Sequence, residues 1–311
     1  MAAKEGLSPQ ALCDKCASVL RAGHAQEADG PIVADHKLHR DAYEWFEIGF
    51  DYFGRTTTPQ QTECVEEDAA GDWELTSEVR RICQGIFLDL HKNGFLEEKE
   101  MTQLYCENDK RYLADRYVEG KCPNPECNYP DARGDQCESC SRTHDPLDLI
   151  DPRCSACGAP PTTRTTSHFF LRLPALQPEI EAWVRETSAK GHWSSNGRAF
   201  TNSWLAGGLK ERCMTRDLEW GVKLPKELGD KWQDKVMYVW FDAPIGYPSI
   251  TANYSPDWRE WWTDPANVSL YQFMGKDNVP FHTVLFPSYL MGTRKPWTLL
   301  DSISTTGECT L

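Results

Sequence analysis

Cys122-Pro123-Asn124-Pro125-Glu126-Cys127, Cys137-Glu138-Ser139-Cys140 and Cys154-Ser155-Ala156-Cys157-Gly158 follow one another within a short stretch, with Cys106 alone upstream. Between these clusters lie turn formers and polar residues, among them Tyr129-Pro130-Asp131 and Thr143-His144-Asp145-Pro146. A segment so poor in apolar side chains cannot bury enough surface to fold as an ordinary core. A metal cross-link removes that difficulty, and closely spaced thiolates are the ligands that tetrahedral zinc takes. The spacing predicts a Zn2+ site at Cys122, Cys127, Cys137 and Cys140, two adjacent pairs closed over a short loop. Cys154 and Cys157 then need partners, for which Cys106 is the candidate. Asp109 stands where a second thiol would complete that pair. Three thiolates with the Asp109 carboxylate, three thiolates with a water, and an empty site all remain open.

Working outward, 311 residues are enough for about two domains. A formal net charge of −14 argues against nonspecific nucleic-acid binding over the whole surface, although not against a local basic track. Thirteen cysteines with metal-type spacing and no secretory leader pattern favour reduced thiols in a cytoplasmic or nuclear compartment. No apolar run approaches the length of a membrane span, so no membrane partner is expected.

Before the cysteine segment, Pro9 to Leu20 reads as a helix that absorbs Cys13 and Cys16 as structural thiols. Helical spacing returns from Leu38 through Tyr43, Trp45 and Phe46, and Ile48 to Phe53 reads as a short strand. Thr56 to Gln61 reads as a strand-to-helix loop of the kind that binds ligands in α/β sheets. Val79, Ile82, Ile86, Phe87 and Leu90 share one face of a helix predicted over Ser77 to Asn93, with Gly94 as its cap. Phe95 to Leu104 reads as strand or turn, and Ser167 to Leu173 as a strand stopped by Pro174. A helix is expected from about Pro178 and another over Thr201 to Leu209.

The second half reads differently. Lys235-Val236-Met237-Tyr238-Val239-Trp240-Phe241 is nearly unbroken apolar sequence, the pattern of a central parallel strand covered on both faces. It predicts a loop at Asp242 to Pro248. Trp258, Trp261 and Trp262 fall on a helix, and Leu270 to Met274 reads as a second central strand ending at Gly275-Lys276-Asp277. A helix from Val279 would align His282, Phe286 and Leu290.

At these two strand ends the chain resembles a known family. Tyr238 to Tyr247 and Gly275 to His282 look like the methionyl-tRNA synthetases, class I enzymes, of the eukaryotic cytoplasmic kind. Phe50 to Thr58, Ala114 to Gly120, Arg133 to Cys137 and Thr215 to Gly221 resemble further segments in family order. The resemblance implies an α/β fold: an incomplete Rossmann-type parallel sheet split by an inserted connective-peptide domain with zinc knuckles. The domains would be 1–91, the remainder of the first catalytic half; 92–214, the zinc-binding insertion; and 215–311, a truncated second half. Neither a HIGH-type nor a KMSKS-type signature stands in the sequence, so the chain is expected to be a fragment and inactive alone.

The implied activity is that of a methionine–tRNA ligase: ATP-dependent activation of L-methionine, then transfer to tRNA(Met) in the cytoplasm. ATP with Mg2+ and structural Zn2+ are the implied cofactors, and other synthetases in a multisynthetase complex are implied partners. By resemblance, Trp240, Ala243, Pro244, Tyr247 and His282 form the methionine pocket, and Gly275 and Asp277 meet the ATP ribose and adenine. An aromatic-walled slot suits a thioether, since sulfur–ring contacts contribute about 0.3–1.5 kcal/mol. Each of these residues has a plainer reading: Trp240, Tyr247 and His282 as core, and Gly-Lys-Asp as an ordinary turn. Lys276 reads as structural or solvent-facing and not as catalytic, and Arg216 with Asp217 as a local pair at the domain junction. The alternative to an enzyme is a non-catalytic interaction module that keeps the methionine pocket or the zinc knuckles.

Overall fold

The protein is described by a computed structural model covering residues 40–54, 82–113, 117–134, 137, 139–140, 144–218 and 221–306. The expected helix at Pro9 to Leu20, the Thr56 to Gln61 loop, Val79 and residues 307–311 lie outside the described residues. The chain divides into two units, Met1–Thr58 and Pro59–Leu311.

In the first unit, residues 40–45 are helical. Ile48 to Phe53, expected as a strand, is irregular. The rings explain why: Phe50 and Phe53 both turn back onto Tyr43, at centroid distances of 5.0 and 6.0 Å. Residues three apart on a strand point to opposite faces and could not share that partner.

The second unit begins with α1 (Ile82–Lys92), whose buried stripe contains Ile82, Ile86, Phe87 and Leu90 as the periodicity requires. Gly94 takes φ 75° just past the helix, and Phe95 N–H bonds back to the Leu90 carbonyl at 2.9 Å. That left-handed conformation is the one glycine adopts without a Cβ penalty. The chain then enters β1 (Leu96–Cys106), paired antiparallel with β6 (Thr162–Leu171) from Leu96↔Leu171 to Tyr105↔Thr162. With β2 (Arg111–Tyr112) and β7 (Arg212–Cys213) they make a sheet of order β2-β1-β6-β7, antiparallel throughout.

Between β1 and β6 lies the cysteine segment, folded on β3 (Val118–Lys121), β4 (Ala132–Arg133) and β5 (Ile150–Cys154). Its separate core consists of Leu104, Leu113, Val118, Ala132 and Leu149 plus Cys106, Cys122, Cys137 and Cys154. Thiols thus supply nearly half of the buried positions, as the shortage of apolar residues predicts.

After β6, Pro174 stops the strand and also opens a helix, α2 (Leu173–Lys190), which starts a turn earlier than expected. Proline is well suited to a first turn, where its missing N–H leaves no bond unmade. Then α3 (Ser195–Ala206) begins at Ser194, whose hydroxyl accepts from Gly197 N–H at 3.2 Å. Together α1, α2, α3 and the later helices enclose one large apolar core.

The reading of Lys235 to Phe241 is corrected by the structure. Only Val236–Met237 is strand (β9), and it pairs antiparallel with β8 (Thr215–Arg216). From Val239 the chain is helix, α4 (Val239–Tyr254), so Asp242 to Pro248 is a helical face and not a loop. A run apolar on all sides suits a buried helix as well as a doubly covered strand, and periodicity does not separate them. The interior Pro244 offers no N–H to the Trp240 carbonyl; Tyr289 Oη donates to that oxygen instead, at 3.0 Å.

A further correction concerns the sheet. Among the described residues the parallel ladder is confined to β10 (Leu270–Gly275) and β11 (Leu300–Thr306), with a single parallel bridge from Trp193 to Ile303 beside it, and every other ladder is antiparallel. The fold is therefore α/β with a mostly antiparallel sheet component, and the expected Rossmann-type parallel sheet does not describe it. Nor is β10 covered on both faces, since Phe273 is 76% exposed. The expected tryptophan helix is α5 (Trp258–Trp262). After β10 the chain passes a π-helical turn, Phe281–Leu285, into α6 (Phe286–Gly292). Pro287 donates nothing to the ladder, and the turn before it closes from Phe286 N–H to the Phe281 carbonyl.

Candidate functional site

Trp240, Ala243, Pro244 and Tyr247 stand at i, i+3, i+4 and i+7 on α4, which places them along one side of the helix. His282 comes to this side from the π-helical turn. Tyr247 Oη lies 2.8 Å from His282 Nε2, and His282 Nδ1 lies 2.7 Å from the Asn278 carbonyl. A carbonyl only accepts, so the ring proton sits on Nδ1 and Nε2 accepts from the tyrosine. Burial holds the His282 pKa below the usual imidazole range against the opposing bond to Asn278, and burial pushes the Tyr247 hydroxyl up. Both rings are therefore neutral near pH 7. Trp240 meets Phe281 edge-on at 4.9 Å and leans on Tyr238 at 5.2 Å.

Trp240 and Asp277 also line a cleft of about 1220 Å³ with Phe200, Trp204, Arg212 and Lys276. So the structure brings one residue of the expected methionine pocket together with one of the expected nucleotide residues. Tyr247, His282, Ala243, Pro244 and Gly275 lie outside this lining. At Gly275, φ is −70° and a Cβ would meet nothing within 4 Å among the described residues. The chain's own packing does not demand glycine there, leaving open space on which a ligand can approach.

Arg212 and Arg216, which the sequence did not mark as site residues, reach this cleft. Arg212 lies 5.3 Å over the Trp204 ring and 6.0 Å from that of Trp240, and Arg216 lies 3.6 Å over Tyr238. No spacing in the sequence announces these contacts, because β7 and β8 are carried there by their sheets. Lys276 faces the cleft as well and not simply solvent. Asp217 takes Lys235, and His168 Nε2 lies 2.9 Å from its other oxygen.

Two clusters on the cysteine segment have the dimensions of metal cages. In each, one ligand atom per residue converges so that all four lie within 4.8 Å of one another: Cys122, Cys127, Cys137 and Cys140; and Cys106, Asp109, Cys154 and Cys157. In the first, Cys122 to Cys140 and Cys127 to Cys137 are both 3.8 Å between sulfurs. The edge of a tetrahedron with Zn–S bonds of about 2.3 Å is also about 3.8 Å. Burial, with the neighbouring thiols adding to it, pushes the Cys122 thiol up to about 12. Four thiolates at this spacing are unstable without a cation among them, so the donor set fits zinc.

The family model for class I tRNA synthetases of the methionine type matches residues 73–311. The chain belongs to the class I methionyl-tRNA synthetase family. The cytoplasmic methionine–tRNA ligase of Saccharomyces cerevisiae is 50% identical over 98% of this chain and 35% of its own length. That of Arabidopsis thaliana is 48% identical over 98% of this chain and 33% of its own. This synthetase-family chain thus spans about a third of the length of these relatives. In fold it is similar to the Mycobacterium tuberculosis methionyl-tRNA synthetase crystallised with methionyl-adenylate, with a TM-score of 0.52 and 19% identity over 89% of this chain and 45% of that one.

Proposed function

We propose that the chain is part of the catalytic region of a methionine–tRNA ligase, which activates L-methionine with ATP and passes it to tRNA(Met) in the cytoplasm. The observation that carries this reading is the side of α4 holding Trp240, Ala243, Pro244 and Tyr247, with His282 bonded to Tyr247 and Trp240 shared with the Asp277 cleft. Methionine would lie against Trp240 and Tyr247. Since the Tyr247 and His282 protons are both committed, selection of the thioether rests on ring contacts and slot shape. Asp277 would accept from the ribose hydroxyls, and Gly275 would let the nucleotide come close to the backbone.

In the first step a methionine carboxylate oxygen attacks the α-phosphorus of ATP, and the bond to the bridging oxygen breaks to release pyrophosphate. Such chemistry depends on positioning and on charge placed to meet the developing negative charge. Mg2+ accompanying ATP would share that task with Arg212, Arg216 and Lys276. Residues 92–214 would be the inserted domain between two catalytic parts, 1–91 and 215–311. Cys122, Cys127, Cys137 and Cys140 would hold one structural Zn2+, and Cys106, Cys154 and Cys157 would contribute to a second site. Other synthetases are the expected partners in a larger assembly.

The test is methionine affinity by calorimetry. Trp240→Ala in a folded protein should abolish methionine recognition. Equal methionine affinity in variant and wild type would reduce Trp240 to packing and remove the support for this reading.

A further inference from the structure

Two aromatic side chains in the cleft belong neither to the methionine pocket nor to the residues that meet ATP. Helix α3 buries Gly197, Thr201 and Leu205 against the core, and the same spacing carries Phe200 and Trp204, one turn apart, to the cleft. Phe200 is exposed there and meets no other ring among the described residues. Trp204 rests partly on the core, and its indole N–H has no partner among those residues. An exposed phenylalanine on a helix is ordinary by itself.

Here an uncommitted cation accompanies it. Arg212 is half-buried, its Nε is buried without a hydrogen-bond partner, and no carboxylate engages the guanidinium among the described residues. Its neighbour Glu211 is taken by Lys99, at 2.6 Å. The guanidinium instead lies 5.3 Å over the Trp204 ring and 6.0 Å from that of Trp240. A charge drawn out of water is normally paired, and ring faces do not use up the N–H groups of the fork. In a chain of net charge −14, the cleft sets Arg212, Arg216 and Lys276 against Asp145, Asp277 and the already paired Glu211. This is the local basic character that the overall charge left room for.

Exposed rings beside an unpaired guanidinium are the parts from which sites for unpaired nucleotides are built: flat faces for the base, a fork for the phosphate. A base inside a duplex has both faces covered by its neighbours and could not use them. We infer that Phe200, Trp204 and Arg212 form a subsite for an unpaired nucleotide at the end of an RNA strand. The base stacks on the α3 rings, and Arg212 takes a phosphate. This deepens the ligase reading, on which the choice of RNA rests. Arg212 serves phosphates in both steps, because the RNA accepts methionine only after pyrophosphate has left.

Fluorescence anisotropy tests this, with a labelled single-stranded tetraribonucleotide ending in adenosine titrated with the full chain from zinc-replete medium. AMP and a blunt-ended RNA duplex serve as competitors. Wild type should bind the strand, and neither competitor should displace it as well as unlabelled strand does. Phe200→Ala should weaken binding roughly 5- to 150-fold, the range that loss of one stacked ring covers. Phe200→Trp should keep the affinity, whereas Phe200→Leu, with apolar bulk but no aromatic face, should not. Arg212→Gln should lower the slope of log affinity against log salt by about 0.7, the loss of one single-strand phosphate contact. Wild-type affinity in Phe200→Ala, equal affinities in Phe200→Leu and Phe200→Trp, or no strand binding by wild type at low ionic strength overturns the inference. Displacement by AMP as effective as by strand assigns the rings to a free nucleotide, and equal displacement by duplex reduces the contact to backbone charge; either result also overturns it. Methionine calorimetry on the same wild-type sample keeps the two readings apart. Strand binding without methionine binding leaves the subsite standing, and methionine binding without strand binding removes the subsite alone.

Discussion

Lys235 is a buried charge, and replacing it by methionine tests how β6, β8 and β9 are held together. Its ammonium pairs with Asp217 and lies 2.7 Å from Thr166 Oγ1, with side chains only 9% and 12% exposed for Lys235 and Asp217. The same carboxylate faces His168, whose Nδ1 is 2.8 Å from Thr215 Oγ1. One network thus ties β6 to the ends of β8 and β9. Burial raises the Asp217 pKa, but its bonds to His168 and Lys235 outweigh that and hold the group below the usual carboxylate range. Removing one partner of a buried pair costs about 3–5 kcal/mol, because the other charge is left without compensation. Lys235→Met should therefore destabilise by about that amount at pH 8. Urea unfolding followed by tryptophan fluorescence at pH 8 measures it. A loss under about 1 kcal/mol would refute the reasoning, since broken buried pairs cost several times that.

Other outcomes follow from the same geometry. Cys137→Ser should release one zinc and unfold the segment around β3, β4 and β5 while the core of α1, α2 and α6 stays protected from hydrogen exchange; uniform loss of protection would count against a separately folded segment. Tyr247→Phe removes the donor to the buried His282 Nε2 and should cost about 1–3 kcal/mol, read from the shift in the denaturation midpoint. Because burial depresses the His282 pKa, that group's share of stability should fall as pH drops below about 6.5, where the unfolded chain takes up the proton. Burial raises Asp242 to about 7, so stability should decline as pH rises from about 4 to 7; Asp242→Asn should flatten that slope by at most about 4 kcal/mol, and an unchanged slope would show that the carboxyl ionises freely.

Much of this molecule is legible in its residues. The α1 stripe of Ile82, Ile86, Phe87 and Leu90 with Gly94 behind it follows from periodicity and from one glycine's freedom at positive φ. The segment resemblance to methionyl-tRNA synthetases agrees with the family match over residues 73–311. Lys235 to Phe241 was misleading for a specific reason. An apolar run reports burial, and burial is the same for a helix enclosed by neighbours as for a covered strand. The partner that stabilises α4 across its prolines, Tyr289, is 45 residues beyond Pro244 in sequence and invisible from the local pattern.

The residues alone carry the chemistry held within short spans: the thiol pairs, the caps, the amphipathic faces and the motifs that mark the family. These depend on neighbours a few positions away, which the chain carries wherever it folds. Tertiary structure alone decided which strands pair antiparallel, that Trp240 and Tyr247 share a helix side that His282 meets, and that Asp217 takes Lys235 and faces His168. It also brought Asp109 to Cys154, 45 positions apart, at 3.0 Å. Contacts of that kind follow from the packing of whole elements, where no single residue's preference carries the information.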